Sequence, residues 1–111
     1  MKKHKQVKQM IFESQAALLK ALGQPTRLQI LDLLKDGERC VCEIFPAISQ
    51  EQANVSKHLS IMKQAGILEC RKDGLRIIYR IKDPKILNLM AGVSKLLKSQ
   101  AREQQDLIAQ L

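Results

Sequence analysis

The sequence predicts a single, mainly α-helical domain, residues 1–111, with a two-stranded β-hairpin in its second half. Apolar residues recur every three or four positions along most of the chain, which is the spacing of an amphipathic helix. Two short segments that begin with isoleucine, 67–71 and 77–81, instead flank an Asp-Gly pair, which is the pattern of a hairpin. A chain of 111 residues buries a limited core, so pairing with a second copy would add apolar burial.

The N-terminal third predicts two helices. The first ends at Gly23 and carries apolar residues at helical spacing, namely Val7, Met10, Ile11, Leu18 and Leu22. Residues 1–8 are strongly basic, and we expect a mobile tail there. Pro25 starts a second helix, which Asp36-Gly37 stops. Leucine and isoleucine occupy more than one face of this helix, so we expect it to be central to the core.

The middle of the chain predicts two helices joined by a tight turn. A short helix over residues 40–47, interrupted near Pro46, leads through a turn at 48–50 into a helix over 51–65 that ends at Gly66. In the longer helix Val55, Leu59 and Met62 stand at i, i+4 and i+7, so they form one inward stripe. The side chains off this stripe are mostly hydrogen-bond formers.

The remainder of the chain predicts a hairpin and a long terminal helix. Strands over residues 67–71 and 77–81 are joined by a turn at 72–76. The helix over 84–111 carries an apolar seam formed by Ile86, Leu89, Met90, Val93, Leu96 and Leu97. We expect the first and last helices to form a helical dimer interface, with 84–111 as the dimerisation helix.

The charge of the chain favours a polyanionic partner. Nineteen Lys and Arg against eleven Asp and Glu give a formal net charge of +8. The few aromatic residues, Phe12, Phe45 and Tyr79, are too few for the stacking platforms of single-strand and RNA binders, so duplex DNA is the expected partner. The sequence shows neither a membrane span nor the apolar segment of a signal peptide, and we expect no membrane partner and a cytoplasmic location.

The order helix, turn, helix, hairpin is that of a winged helix-turn-helix, whose second helix enters the major groove while the hairpin, or wing, contacts the flanking backbone. The candidate DNA contacts are Gln52, Asn54, Ser56 and Lys57 on the second helix, His58 as a DNA-facing or packing residue, and Arg71, Lys72 and Arg76 around the hairpin. Each feature alone also fits a solvated surface, and the rival function is a protein-binding adaptor of the same shape. Because these features follow one another in one basic chain, we favour DNA binding over the adaptor function. We expect DNA binding to require no cofactor.

Several segments resemble the ArsR/SmtB family. They are residues 19–28 (LKALGQPTRL), 55–59 (VSKHL) and 64–68 (QAGIL), and the match spans most of the chain. Residues 38–44 (ERCVCEI) are similar to the cysteine motif of the arsenical-responsive members. The resemblance implies a homodimer that represses an ion-resistance operon and dissociates from DNA when it binds its inducer.

Cys40 and Cys42 are the candidate ligands for that inducer. Thiolate is a soft ligand that suits As(III) or Sb(III), with Cd(II) and Pb(II) ranked after them. Residues i and i+2 point apart on a regular helix, so one ion holds both sulfurs only if the segment is extended, frayed or distorted. Cys70 is a candidate third ligand, although its place in a predicted strand also fits a buried structural cysteine.

Other interpretations of the cysteines stay open at this level. One is a redox switch, although a disulfide across i, i+2 would be strained, and another is that the two thiols simply pack at the start of a short helix. Cysteine-based catalysis would have one plausible histidine as its base but no evident residues to orient that base, so we do not expect an enzyme.

Two departures from the family pattern reduce the number of residues that can bind the inducer. Arsenical-responsive relatives often have a third cysteine three residues after the pair, where this chain has Phe45. No cysteine precedes Cys40, unlike in cadmium-responsive relatives. A zinc site on the last helix is not expected either, because that helix has no histidine and its acids, Glu103 and Asp106, lie late.

Overall fold

The computed structural model describes residues 2–111, except the side chain of Lys2. Within this range the elements in chain order are α1 (Lys2–Leu22), α2 (Pro25–Leu34), β1 (Arg39–Cys40), α3 (Val41–Ala47), α4 (Gln52–Gln64), β2 (Leu68–Asp73), β3 (Arg76–Ile81) and α5 (Lys85–Ala109). The predicted helices and the hairpin are all present, with ends that differ by a few residues.

The basic N-terminal segment differs from the expectation. Residues 2–8 are the first turns of α1 and not a separate tail, while Met1 lies outside the described residues. Nothing in the sequence between Lys2 and Leu22 breaks a helix, because Gly23 is the first glycine of the chain and Pro25 the first proline. Lysine and glutamine are good helix formers, so the helix continues through the charged residues.

The core lies between α2, α4, α3 and the base of the hairpin. Helix α2 starts with Pro25 in its first turn and buries Ile30, Leu31 and Leu34. The stripe predicted on α4 is confirmed, since Val55, Leu59 and Met62 are at most 1% exposed. Residues of α1, α3, β2 and the turns that follow α3 and α4 complete the buried cluster, namely Ala21, Leu22, Ile44, Ile48, Ile67 and Leu68.

The wing is a three-stranded sheet with the order β1-β3-β2, so the prediction of two strands is corrected. The predicted hairpin is β2 and β3, which are antiparallel and longer than expected because their turn consists only of Gly74 and Leu75. Gly74 has φ 63°, a left-handed conformation that glycine adopts without a steric penalty. The additional strand is β1, in which Arg39 pairs with Tyr79 and Cys40 with Ile78. Two residues are too short to show an alternating pattern in the sequence.

Helices α1 and α5 leave apolar side chains uncovered. None of the α5 residues is buried, and its seam exposes Leu89, Val93, Leu96 and Leu97 by 39% to 65%. The exposed apolar residues of α1 are Val7, Met10, Ile11, Phe12, Leu18 and Leu19. Among the described residues no helix combines the length and hydropathy needed to cross a bilayer. The apolar faces of α1 and α5 therefore remain open in the single chain.

Candidate nucleic-acid interface and thiol site

Helix α4 presents a polar face to solvent. Four of the predicted contact residues are exposed in its first half: Gln52, Asn54, Ser56 and Lys57. The opposite stripe is buried in the core, so the orientation of α4 is fixed by packing. The turn before α4 is also tied to α2, because the Gln50 amide donates a hydrogen bond to the Thr26 hydroxyl. Amide, hydroxyl and ammonium groups on a rigid helix are suited to contact base edges and phosphates.

His58 lies apart from the other predicted contacts. It is partly buried, and its Nδ1 accepts a hydrogen bond from Arg27 Nε at 3.1 Å. The Arg27 side chain is itself buried and donates a second bond, 3.1 Å, to the carbonyl oxygen of Ala21. Burial and then the positive charge of Arg27 hold the pKa of His58 below its ordinary value. Of the two roles expected for His58, these contacts support packing between α4 and α2.

The three basic residues predicted in the wing are all exposed, but two of them have acidic partners. Arg71 binds Glu38 through two hydrogen bonds, of which the shorter, from Nη2 to Oε1, is 2.8 Å. Arg76 Nη2 lies 3.6 Å from Glu43 Oε1. The guanidinium of Arg71 lowers the pKa of Glu38 below its ordinary value. The Glu38–Arg71 and Arg76–Glu43 pairs are exposed and 33 residues apart in the chain, so sequence reasoning missed them.

Cys40 and Cys42 come together because only one of them is helical. Cys40 ends β1 in an extended conformation and is the N-cap of α3, whereas Cys42 lies in the first turn of that helix. Their Cα atoms are 5.1 Å apart and the two sulfurs are joined in a disulfide. The expectation that the pair meets only outside a regular helix is therefore confirmed.

Glu43 holds the cysteine segment in place. Its carboxylate accepts a hydrogen bond from the Cys40 backbone N–H at 3.3 Å, while the Cys40 sulfur accepts one from the Cys42 N–H at 3.1 Å. This reciprocal arrangement is a capping box in which cysteine replaces the usual serine or threonine. The same carboxylate reaches Arg39 and Arg76. The Cys-x-x-Glu spacing was the available sequence signal for this role of Glu43.

Cys70 lies away from the pair. It faces Tyr79 across the β2–β3 ladder, whereas Cys40 faces Ile78 from the other side of β3. Because adjacent residues of a strand point to opposite faces, Cys70 and Cys40 lie on opposite faces of the sheet. Burial, with Cys70 alongside, raises the pKa of Tyr79. The described residues contain no group of three or more His, Cys, Asp or Glu able to hold one metal ion, so the suggestion of Cys70 as a third ligand finds no support within one chain.

Helix α4 packs on the core, a helix and a turn precede it, and a basic hairpin follows it. This arrangement defines a winged helix-turn-helix protein. The chain belongs to the ArsR family. The family model described as "Bacterial regulatory protein, arsR family" matches residues 24–69, which include α2, the cysteine pair and α4. The family resemblance and the winged fold expected from the sequence are thus confirmed.

Relatives with assigned names and solved structures agree with this membership. An uncharacterized HTH-type transcriptional regulator of Methanocaldococcus jannaschii is 41% identical over 77% of this chain and 97% of its own length. The arsenical resistance operon repressor of Escherichia coli is 42% identical over 58% of this chain and 56% of its own. The homodimeric winged helix-turn-helix DNA-binding domain of Mycobacterium bovis is 34% identical with a TM-score of 0.76, over 86% of this chain and 89% of that structure.

The contact between His58 and Arg27 predicts how stability depends on pH. A pKa held below that of the unfolded chain means that the unfolded state binds more protons as pH falls, so the free energy of unfolding should decrease from about pH 7 downward. His58→Gln, which keeps a hydrogen-bond acceptor for Arg27 and does not titrate, should lose this dependence as pH falls through the ordinary histidine pKa of about 6.5. Urea unfolding at fixed protein concentration measures it.

His4→Gln is the matched control, because it removes the other histidine, which is exposed on α1. It should keep the wild-type pH dependence. Equal pH profiles for wild type and His58→Gln would show that the contact with Arg27 has no part in it.

Proposed function

We propose that the protein is a homodimeric transcriptional repressor that acts in the cytoplasm, binds operator DNA and is released when Cys40 and Cys42 capture a trivalent metalloid, arsenite or antimonite. The observation that carries the proposal is the meeting of the two sulfurs at the start of α3, the first helix of the helix-turn-helix. Relatives named as an arsenical resistance operon repressor and a cadmium resistance transcriptional regulatory protein support a metal or metalloid inducer.

DNA binding is supported by the two exposed surfaces that flank the thiol site. The polar face of α4 provides groups for base edges, and Arg71, Lys72 and Arg76 provide charges for phosphates. Phosphates compete with Glu38 and Glu43 for the two arginines. A DNA phosphate binds an arginine in a forked geometry as a carboxylate does, so this exchange replaces one contact with a similar one.

Release is explained by the position of Cys40 between the sheet and α3. An ion that binds both sulfurs occupies the Cys40 sulfur that otherwise caps the helix, so the start of α3 must readjust. Glu43 loses its fixed position when the Cys40 N–H moves, and with it the contact to Arg76 of the wing changes. The linkage is reciprocal, so bound DNA weakens capture of the inducer by the same factor.

A homodimer is supported by the uncovered faces of α1 and α5. Leu89, Val93, Leu96 and Leu97 of the α5 seam are exposed in the single chain, as is the apolar face of α1, whereas Ile86 and Met90 of the seam pack partly against the core. Exposed apolar surface of this kind often marks a site of protein–protein interaction. The homodimeric neighbour from M. bovis has the same fold, which agrees with a second copy as that partner.

A second candidate inducer is an oxidant. The structure joins the sulfurs of Cys40 and Cys42 directly, which favours a regulator whose DNA affinity changes when two thiols become a disulfide. Oxidation and metalloid capture act on the same two sulfurs. They are distinguished by whether release requires loss of electrons, so experiments with a phosphine reductant separate them.

We expect strongly salt-dependent DNA binding that relies on the wing. If the dimer neutralises about six to ten phosphates, affinity should fall about a thousandfold or more between about 50 and 200 mM salt. Replacing Arg71, Lys72 and Arg76 with Ala should weaken binding to all sequences alike and flatten the salt slope by about one for each lost contact. Fluorescence anisotropy of labelled DNA at several salt concentrations measures both effects.

The control replaces Lys95, Lys98 and Arg102 with Ala. These substitutions remove the same charge from exposed positions of α5 on the side away from the seam. This variant should retain most of the wild-type slope. A flat salt response of the wild type would point to the protein-binding adaptor, and a change of sequence preference alone would place the wing residues on bases.

We expect Leu96→Glu to break the dimer. The substitution would place a carboxylate in the α5 seam, at a cost of several kcal/mol, about 3–5, if the charge stays unpaired. Sedimentation should show a monomer with weakened operator affinity. Ala91→Glu adds the same charge on the opposite side of α5, where the side chain is exposed, and should leave the dimer intact. A dimeric Leu96→Glu variant with normal DNA affinity would show that the interface lies elsewhere.

We expect each thiol of the pair to be required for release but not for DNA binding. Serine keeps the size of cysteine and caps a helix well but is a poor soft ligand, so Cys40→Ser and Cys42→Ser should fold and bind the operator normally. Arsenite or antimonite should weaken wild-type binding by about five- to 150-fold and leave these variants bound. Anisotropy of labelled operator with a phosphine reductant is the measurement, with Cd(II) and Pb(II) as comparison ions.

Cys70→Ser is the matched control and should respond like wild type, because Cys70 lies on the opposite face of the sheet. Equal release of wild type and both pair variants would show that the pair is not the sensor. Release by a thiol oxidant alone, with no response to any ion under reducing conditions, would establish the redox switch instead.

A further inference from the structure

The tip of the wing, Gly74 and Leu75, ends in an uncovered leucine. Leu75 is 104% exposed, so no other part of the described chain covers its side chain. The two-residue turn needs a left-handed residue only at Gly74, which has φ 63°, and the residues most common in turns are glycine, proline, asparagine, aspartate and serine. Leucine is therefore not required by the turn itself, and its side chain is free to make an apolar contact outside the chain.

The charges around the tip indicate what kind of surface it contacts. Residues 71–77, the outer half of the hairpin, are all exposed. They contain Arg71, Lys72 and Arg76 against a single acid, Asp73. A second copy of this chain also has a net positive charge and would repel the tip. Duplex DNA fits it better, because each groove has phosphates along both edges and base pairs at its floor, so that cations meet the edges and an apolar side chain meets the floor.

The position of the tip next to α4 selects the groove of the DNA. Leu75 and Ile77 line the same surface cavity as Gln52, the first residue of α4, so the tip and the polar face of α4 lie on one side of the molecule. An α-helix fits the major groove, which is about 12 Å wide. The neighbouring minor groove is about 6 Å wide, too narrow for a helix but wide enough for a single side chain. With α4 in the major groove, the tip therefore reaches the minor groove beside it.

We propose that Leu75 is an apolar wedge that enters this minor groove, partly separates two stacked base pairs and bends the DNA. Leucine, isoleucine, phenylalanine and methionine side chains act in this way in proteins that bend DNA from the minor groove. The inference rests on the DNA binding in the proposed function and is independent of the inducer. It gives the tip a part in sequence selection, because pyrimidine–purine steps such as TA and CA/TG unstack most readily. The protein should therefore favour such a step beside the bases that α4 contacts.

The test uses a DNA duplex that the wild-type chain selects from a pool of random sequences. With a fluorophore on each end of the duplex, energy transfer reports the bend, and anisotropy reports the affinity. We expect the wild type to bend the duplex by about 20° or more. Leu75→Ser keeps a residue suited to the turn but removes the wedge, so the bend should disappear. Affinity should fall by about tenfold or less, because the apolar contact is lost but base pairs no longer need to be unstacked.

A fluorescent adenine analogue that brightens when it is unstacked shows whether the base pairs separate. Placed in the flanking pyrimidine–purine step, it should brighten when wild type binds and stay dark with Leu75→Ser. Leu75→Met keeps an apolar side chain of similar size and should retain both the bend and the brightening. Leu111→Ser is the matched control, since Leu111 is 105% exposed but lies at the C-terminus, and it should behave like wild type in every measurement.

The outcomes separate this inference from the proposed function. Selection repeated with Leu75→Ser should recover the bases contacted by α4 and lose the enrichment of flexible steps beside them. Equal bends for wild type and Leu75→Ser, or a wild type that leaves the duplex straight, would show that Leu75 is not a wedge, while the selected sequence would still support DNA binding. If wild type selects no sequence and binds no duplex in a salt-dependent way, the proposed DNA binding fails and the inference fails with it.

Discussion

The structure depends on Cys40 belonging to two elements at once. Its backbone pairs with Ile78 in the sheet, and its sulfur caps α3. Cys40 is 3% exposed, so neither role can change without disturbing packed neighbours. A residue that joins a strand to a helix in this way transmits a local change in both directions, because the wing lies on one side of it and the helix-turn-helix on the other. A chemical change at this sulfur therefore affects both elements proposed to contact DNA, the helix-turn-helix and the wing.

Ion pairs hold the wing next to the segment that contains Cys40. The chain has an excess of positive charge, yet Glu38 and Glu43 lie just outside the cysteine pair and reach the wing arginines. Exposed ion pairs of this kind add little to stability. Their effect is on conformation, since they hold the arginines near the thiol site in the absence of DNA. The wing is thus positioned by the segment that contains the sensor candidates, and no separate element is needed to connect them.

The sequence was informative where a repeating pattern exists and uninformative where contacts join distant residues. The i, i+4, i+7 spacing of Val55, Leu59 and Met62 was enough to predict the buried side of α4 and hence its exposed side. Strand β1 has no such pattern, and the partner of His58 lies 31 residues away. From the sequence we could predict only that the two sulfurs meet if their segment is not a regular helix. The extended conformation of Cys40 could not be predicted, because it arises from pairing with β3.

Helix α5 is the longest helix of the chain, 25 residues, and buries none of them in its own protomer. An isolated amphipathic helix in water owes little to its intrinsic propensity and most of its stability to a surface that it can pack against. Ile86 and Met90 in its first turns pack partly against the core of the same chain. In the proposed homodimer the rest of its apolar side packs on the other copy, so the order of the later turns of α5 depends on protein concentration. Dilution would then act on the fold itself, and the amount of repressor in a cell would set how much of it is fully folded and protected from proteolysis.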